Sequence, residues 1–469
     1  MDTARADAFE PYGASAGSSP AVSHLAGAGW AAPYAVAPSS WTLPSHVAML
    51  LGLPHRQAGL VKARQADPRL CRPVLEANES RYLPVVLRNA GYRTTGASTN
   101  LWIQAASGFD LGFDEFHGLW ENRRTDLVGT GRLSSLRWAR EGFRSRTDDG
   151  LTEVSRIAQT WVDGLAASTQ PSFLFLNLTE CHSPYLPPRP YNDLAPLDRM
   201  RTGLEAQRHL SLEAIWKTNL GAPLPPDAAL ARMRHLYARS IRYMDDWLTC
   251  FVESLQAQGA LADTIVIVTS DHGENLGEGG RLGHSFSLDE RLIHVPLVTS
   301  GFDRLRPETA LSLVQLPWLL ADELALPDQP WSPPDPGPAV SAVEGICEPD
   351  DPRVVDALAT WGLGDEAAFC MTSDAVCASD GVMKIVQRGH REAVFDLRQD
   401  PLEVQPLARD QMSEADAPAI RLLRRAVATA LREQDQHPAA LPSAGLPHAA
   451  TDPRDDQKLA DQMRLLGYL

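Results

Sequence analysis

The chain has 469 residues, of which 44% are apolar and 22% are charged, and this composition excludes a fibrous or wholly disordered protein. Its formal charge of −16 opposes binding to nucleic acid or anionic lipid unless a local basic patch overrides it. The length predicts about two to four units, or one large α/β domain with an appendage.

Neither a membrane span nor a secretion signal is visible. No stretch reaches roughly 18 consecutive apolar residues, and the first residues, MDTARADAFEPYG, lack a basic region followed by an apolar run. The six cysteines are sparse and have no zinc-finger spacing. These features predict a cytoplasmic protein with free thiols and no membrane span.

The first half of the chain alternates helical and strand patterns. A helix, a glycine stop and a strand are predicted in PVVLRNAGYRTTGAST. Residues 120–150 are charged with little periodicity, which predicts a loop or mobile insert. A helix with an aspartate cap follows in DGLTEVSRIAQTWVDGL, and then a buried parallel strand in PSFLFLNLTE.

The alternation continues with a long amphipathic helix, DAALARMRHLYARSIRYMDDWLTCFVESLQAQGAL, which the pattern ends at Gly259. A strand, TIVIVTS, comes next, followed by a polar loop, a strand in VPLVTSG and a helix in LSLVQLPWLLADELAL. Alternating β and α elements with apolar strands predict a parallel sheet covered on both faces.

A break in composition, WSPPDPGP at residues 331–338, separates a smaller C-terminal unit. VMKIVQRG and EAVFDLRQDP predict a hairpin in a small antiparallel sheet there, and the stretch after about residue 434 predicts a poorly ordered tail or strap. The predicted domains are therefore 1–330, 339–434 and a tail at 435–469.

VTSDHGE, at residues 268–274, places Asp271 and His272 at the end of a buried strand. Open α/β sheets bind ligands at that end, and a carboxylate beside an imidazole suits zinc or another divalent transition metal. The alternative is that Asp271 only caps a following helix.

SSWTLPSHVAMLLG, at residues 39–52, places Thr42 before a helix that Ser45 or His46 is predicted to open. A hydroxyl at a helix N-terminus faces free backbone N–H groups and the positive end of the helix dipole. Thr42 is therefore a candidate nucleophile, and the alternative is that it merely caps the helix.

Taken together, these segments resemble the sulfatase branch of the alkaline phosphatase superfamily. DTARADAFEPYG resembles its first metal-ligand segment and TLPSHVAMLLG its nucleophile signature. The later matches are GYRTTGASTNLW, GFDLGFDEF, FLFLNLTECHSPYLPP, the long helix through TSDHGE, and VMKIVQRGHREAVFDLRQDPLEVQPLA. The resemblance covers about residues 1–410. It implies a three-layer α/β sandwich with a central, mostly parallel sheet and a small C-terminal antiparallel subdomain.

The same resemblance implies roles for individual residues. One divalent metal ion (Mn, Zn or Ca) is expected, with Thr42 as nucleophile and His182 and His284 supporting oxyanion or leaving-group charge. His46 replaces the arginine of the family and, with Asn100, is a candidate substrate contact. The expected metal ligands are Asp2, Thr42, Asp271 and His272.

The chain departs from the family pattern in three places. Thr42 stands where sulfatases have Cys or Ser, and threonine cannot give the formylglycine aldehyde; this favours attack on phosphorus, as in phosphonate monoester hydrolases. Thr3 stands where many sulfatases have a second aspartate. Only Met1 precedes Asp2, where the family has a first strand. We therefore expect a frayed Asp2 in this chain, and a native protein that starts upstream with an apolar strand.

The expected function is a sulfatase-family, metal-dependent hydrolase of phosphate, phosphonate or sulfate esters that acts through a metal-bound Thr42. A soluble phospho-group transferase and a truncated non-catalytic relative are the alternatives. The expected partner is a small-molecule, glycan or lipid anionic ester and not nucleic acid, and homo-oligomerisation stays open.

Overall fold

A computed structural model of the chain describes residues 1–60, 67–120, 132–146, 148–302, 304, 306–333, 337–345, 352–408 and 416–436. The helices are α1 (Pro20–Ala28), α2 (Thr42–Leu51), α3 (Arg72–Ala77), α4 (Leu83–Asn89), α5 (Arg132–Arg144), α6 (Leu151–Leu165), α7 (Pro196–His209), α8 (Leu212–Asn219), α9 (Asp227–Ala257), α10 (Glu290–Ile293), α11 (Leu316–Glu323), α12 (Pro352–Trp361), α13 (Asp365–Thr372) and α14 (Ala417–Gln436). The strands are β1 (Trp30–Ala31), β2 (Ala35–Val36), β3 (Arg93–Ser98), β4 (Glu115–Gly118), β5 (Ser172–Asn177), β6 (Val266–Thr269), β7 (Asn275–Leu276), β8 (Leu282–Gly283), β9 (His294–Val295), β10 (Leu297–Ser300), β11 (Leu311–Ser312), β12 (Ala339–Val343), β13 (Ala375–Ser379), β14 (Met383–Arg388) and β15 (Arg391–Asp396).

Two three-stranded sheets form the centre of the fold. The first has the order β4-β3-β5 and is parallel throughout, with Thr95 paired to both Glu115 and Leu174. The second has the order β1-β10-β6, and β10 runs antiparallel to both neighbours. The predicted α/β fold is therefore present, but β10, the strand in VPLVTSG, does not follow the parallel direction that the alternation suggests.

Met1 and Asp2 lie in the seam between β5 and β6. The Asp2 amide donates to Leu178 O at 2.8 Å, the Met1 ammonium donates to Thr269 O at 2.7 Å, and the Asp271 amide donates to Met1 O at 3.2 Å. Along the rest of this seam no strand among the described residues pairs with β5 or β6. As a result, β5 is half-exposed from Ser172 to Leu176 and not buried as its apolar sequence predicts.

Alternate residues around β6 pack into two separate cores, as a sheet between two helical layers requires. Val266 and Val268 join the core that contains α1, α6 and α9, whereas Ile265 and Ile267 contact the core that contains α2, α4 and α11. None of the helices in the described part of the chain combines the length and apolarity that a bilayer-spanning helix requires.

The C-terminal unit contains the predicted hairpin. Strands β14 and β15 pair antiparallel from Met383–Asp396 to Arg388–Arg391, within a four-stranded sheet of order β12-β13-β14-β15 on which α14 packs. Residues 437–469, most of the predicted tail, lie outside the described residues.

Three further local predictions are wrong. Residues 132–144 form helix α5 rather than a loop, although 121–131 and 147 lie outside the described residues. Helix α2 begins at Thr42 itself, not at Ser45 or His46. Helix α6 has no aspartate side-chain cap, because Gly150 occupies the N-cap position.

Candidate active site

The side chains of interest gather at the C-terminal ends of the central strands, which is the ligand-binding edge of an open α/β sheet. Asp271 and His272 follow β6, and Asp2 lies beside them in the seam. These three residues each offer one ligand atom, and the three atoms lie within 4.8 Å of one another. His272 Nε2 is 3.8 Å from Asp2 Oδ1 and 3.4 Å from Asp271 Oδ2. All three are buried.

Thr42 joins this group from a different part of the chain. It is the first residue of α2, after Trp41 in an extended conformation, and its Oγ1 lies 3.3 Å from His272 Nε2 although 230 residues separate the two. The His272 Nδ1 is 2.9 Å from Gly273 O, and since a carbonyl only accepts, Nδ1 carries the hydrogen. The lone pair of Nε2 therefore faces Thr42 and the two carboxylates.

Asp2 is held firmly, which corrects the expectation of a frayed terminal residue. Besides its amide bond to Leu178, its carbonyl accepts from Cys181 Sγ at 2.9 Å, and its carboxylate accepts from Asn100 Nδ2. The amide of Thr3, in a left-handed conformation with φ of 62°, donates to Asp271 Oδ1 at 3.3 Å. The backbone on both sides of Asp2 is thus fixed.

Among the described residues, no positively charged side chain contacts the two carboxylates, and the Met1 ammonium offsets only part of the rise in the pKa of Asp271. Burial first, and then the nearby Asp271, raises the pKa of Asp2 to about 6. Burial raises the pKa of Asp271 to about 7, and the pKa of His272 falls to about 4, again through burial. Asp2 Oδ1 and Asp271 Oδ2 accept no hydrogen bond from a described residue. Unpartnered buried carboxylate oxygens beside a bare imidazole nitrogen and a hydroxyl fit a divalent cation.

The two predicted substrate contacts, His46 and Asn100, touch the other site residues and not open space. His46 Nδ1 donates to Thr42 O at 2.9 Å and lies 3.4 Å from Asp271 Oδ2. Burial lowers the pKa of His46 to about 3, which keeps the ring neutral. Asn100 donates to Asp2 and accepts from the Trp102 amide. Both residues therefore orient their neighbours in this structure, and a direct substrate contact stays a prediction.

His182 and His284 lie together next to His272. The ring centroids of His182 and His284 are 5.1 Å apart, and those of His272 and His284 are 4.6 Å apart. The pKa values of both histidines fall to about 4, chiefly through burial. Ser285 ties the His284 loop to the segment before Thr42, because its amide donates to Ser40 O at 3.0 Å.

Glu274 is a site residue that the sequence reasoning did not assign. It is buried, its Oε1 accepts from His284 Nδ1 at 3.0 Å, and burial raises its pKa to about 7. It fixes the orientation of His284 so that Nε2 is directed away from Glu274. Its position as the last residue of VTSDHGE, directly after the predicted metal ligands, could have marked Glu274 as a site residue. Nothing in that segment predicts its contact with His284.

Comparison with known proteins gives the family. A family model described as Sulfatase matches residues 1–315. A choline-sulfatase from Rhizobium meliloti (strain 1021) is 25% identical over 378 residues, which are 72% of this chain and 69% of that protein.

Two solved structures show the same fold. The phosphonate monoester hydrolase of Agrobacterium radiobacter superposes with a TM-score of 0.59 at 19% identity, over 93% of this chain and 95% of that one. A second phosphonate monoester hydrolase, from Silicibacter pomeroyi, gives 0.61 at 18% identity, over 95% and 96%. With a family match over most of its length, the chain belongs to the sulfatase family and is a sulfatase-like ester hydrolase.

Proposed function

We propose that the chain is a divalent-metal-dependent hydrolase that uses Thr42 as a covalent nucleophile and prefers phosphorus esters to sulfate esters. The observation that carries this proposal is the set of unpartnered oxygens on Asp2 and Asp271, which lie beside His272 Nε2 and the Thr42 hydroxyl. One buried cluster therefore contains both the candidate ligands of a cation and the candidate nucleophile.

Asp2, Asp271 and His272 would hold the ion, with Thr42 Oγ1 beside it. Members of the sulfatase family are metal-dependent. A bound divalent ion supplies positive charge that lowers the pKa of a neighbouring hydroxyl and neutralises ester oxygens. The imidazole donor favours Mn or Zn over Ca, because calcium prefers six to eight oxygen ligands.

The side chains divide the remaining work. The Thr42 Oγ1–phosphorus bond forms as the bond from phosphorus to the ester oxygen breaks. The hydroxyl proton of Thr42 passes to an imidazole and is returned to the leaving oxygen, and His182 and His284 are the candidates for this transfer. Water then attacks phosphorus, breaks the bond to Oγ1 and restores the Thr42 hydroxyl. Asn100 and His46 keep Asp2, Asp271 and the first turn of α2 in position.

The preference for phosphorus rests on the chemistry of Thr42. Its β-carbon carries a methyl group, so oxidation cannot give the aldehyde that sulfatases make from Cys or Ser. The similarity to a choline-sulfatase makes sulfate esters the obvious competing substrates.

A panel of matched aryl phosphomonoester, phosphodiester, phosphonate and sulfate substrates tests this proposal, assayed with Mn or Zn. We expect kcat/KM for at least one phosphorus ester to exceed that for the sulfate. A strong sulfate preference with an unmodified Thr42, established by peptide mass analysis, would overturn it. Transfer to an added alcohol in place of water would identify a transferase instead.

A further inference from the structure

The outer surface of helices α5 and α7 is unusually apolar. Among the described residues, eleven large apolar side chains are exposed, and six of them lie on these two helices. They are Leu133 (73% exposed), Leu136 (66%), Phe143 (49%), Leu197 (65%), Met200 (37%) and Leu204 (37%). Single exposed apolar side chains are common on protein surfaces. Six of them on one pair of helices form a patch, and such patches are typical of binding surfaces.

The two helices form a tightly joined antiparallel pair. Ser134 accepts from Gln207 at one end, while Gly142 contacts Arg199 towards the other. A β-carbon on Gly203 would lie 1.9 Å from Trp138 O, and one on Gly142 would lie 2.3 Å from Arg199 O. The backbones therefore touch at these glycines, and the pair presents one rigid outer surface.

Arginines flank the apolar side chains on both helices. An α-helix has about 3.6 residues per turn. Around the circumference of α5, this spacing places Leu136 and Phe143 between Gly142, which contacts α7, and the exposed Arg140.

On α7, Met200 and Leu204 likewise lie between Gly203 and the exposed Arg201. Exposed Arg144 and Arg208 extend the two basic flanks. We call the whole surface the α5–α7 face; its members are the six apolar residues above with Arg140, Arg144, Arg201 and Arg208.

The charge of this face is opposite to that of the chain. The formal net charge is −16, yet the basic side chains here outnumber the acidic ones. Asp198 pairs with Arg201 at 2.9 Å, Glu205 pairs with Arg232 outside the face, and Glu141 is buried. The face is the kind of local basic patch that can overcome the repulsion of a negative protein from an anionic surface.

We propose that the α5–α7 face docks the protein on an anionic lipid surface. An apolar ridge with basic flanks is the pattern by which helices bind in the plane of a membrane interface, with the apolar side chains inserted and the arginines at the headgroups. A second copy of the chain fits less well, because a two-fold contact would bring together two faces of the same positive charge. Nucleic acid would leave the six apolar side chains without a partner.

The position of the face relative to the candidate active site is compatible with this role. Directly after α5, the Ser145 hydroxyl accepts from Asn192 Nδ2 at 2.6 Å and the Ser145 carbonyl accepts from the Arg189 amide at 2.9 Å. Glu180, two residues before His182, accepts from the amides of Asp149 and Leu151. These contacts connect the end of α5 to the segment that carries His182.

Co-sedimentation of the full chain with vesicles tests the proposal. One set of vesicles is pure phosphatidylcholine, and the other contains equal parts of phosphatidylcholine and phosphatidylglycerol. We expect binding to the anionic set only, and weaker binding as salt is raised. Replacing both Arg140 and Arg144 by Glu should weaken binding about tenfold or more, and Leu136→Asp with Phe143→Asp should abolish it.

The matched control is Leu402→Asp with Val404→Asp, a pair of exposed apolar residues (52% and 70%) in the C-terminal unit. All variants must retain the circular dichroism and melting temperature of the parent chain. Absence of binding to anionic vesicles, or an equal loss in the control, would overturn the proposal. So would a concentration-dependent dimer that Leu136→Asp with Phe143→Asp dissociates, because the face would then belong to a second copy.

Discussion

Two buried clusters of acidic residues in this protein differ in what neutralises them. In the first, Asp2 and Asp271 face each other in the candidate active site, and each has an oxygen that accepts no hydrogen bond from the described part of the chain. In the second, Glu290 and Glu403 surround Lys384, which is fully buried and donates to Leu288 O at 2.6 Å and to Glu290 at 2.9 Å. Lys384 Nζ lies 2.7 Å from Glu403 Oε1.

The Lys384 cluster is therefore structural, whereas we propose a functional role for the Asp2–Asp271 cluster. A buried carboxylate requires a positive or hydrogen-bonding partner. The Lys384 cluster carries its own cation, and Tyr34 OH and the Glu290 amide add further donors. It joins the C-terminal sheet to the segment around α10. Among the described residues that contact the Asp2–Asp271 pair, no side chain is cationic, since His272 is neutral, and the Met1 ammonium offsets only part of the effect of burial on the pKa of Asp271. A divalent ion from solution is the cation that we propose for this pair.

The largest expected effect is the loss of turnover when the Thr42 hydroxyl beside the Asp2–Asp271 pair is removed. Thr42→Val keeps the shape of the side chain and removes the hydroxyl, so turnover of the best phosphorus ester should fall on the order of 10⁴-fold. Thr42→Ser, the matched control, should retain measurable turnover. If Thr42→Val keeps turnover within tenfold of the parent, Thr42 is not the nucleophile.

Substitution of Lys384 in the second cluster should lower the stability of the protein and not its catalytic turnover directly. Lys384→Met leaves Glu290 and Glu403 buried without their cation, so the free energy of unfolding should fall by about 3–5 kcal/mol. Adding Glu290→Gln and Glu403→Gln to Lys384→Met should recover part of this loss. Denaturant titration measures both, and a loss below about 1 kcal/mol would mean that the cluster opens to water.

Removal of the metal should distinguish the clusters directly. Chelation should abolish activity, and returning Mn or Zn should restore it while Ca should not. Saturating metal should stabilise the protein by about 2.7 kcal/mol at a free concentration about 100 times Kd. The Lys384→Met variant should show the same metal-dependent shift, because its own cluster binds no ion. An unchanged melting temperature on adding Mn or Zn would contradict the assignment.

A smaller effect concerns the metal-free protein and its pH dependence. The folded pKa of Asp271, about 7, lies above its usual value of 3.8, so folded Asp271 retains a proton that the unfolded chain releases. This contribution to stability is therefore lost as pH rises through about 7. In the presence of chelator, the stability of Asp271→Asn relative to the parent should rise by about 2–3 kcal/mol between pH 5 and pH 8, because each pH unit below a folded pKa of about 7 corresponds to about 1.36 kcal/mol. A constant difference across this range would show that Asp271 is not destabilised by its charge.

The residues of the site that lie at the end of a strand or the start of a helix could be predicted from the sequence, whereas the contacts that orient them could not. Asp271, His272 and Thr42 each lie in a local pattern, a buried strand followed by polar residues or a turn before a helix. The contacts of Asn100 with Asp2 and of Glu274 with His284 depend on how distant segments pack, and no periodicity encodes them.

Helix α5 was missed for a related reason. Its buried side combines Trp138 with the polar or small residues Ser134, Glu141 and Gly142. Its exposed side mixes leucines with arginines, so apolar periodicity does not mark the core-facing side. The Lys384 cluster could not be predicted from the sequence either, because Lys384 and Glu290 are 94 positions apart in the chain.

The seam occupied by Met1 and Asp2 has a consequence for how the molecule opens. Asp2 is attached to the end of β5 through Leu178, whereas Asp271 and His272 belong to the end of β6. An ion held by all three would act as a reversible cross-link between two sheets that share no strand pairing among the described residues. Local opening would then become cooperative across the seam, so amide hydrogen exchange should slow together in β5 and β6 when the ion binds.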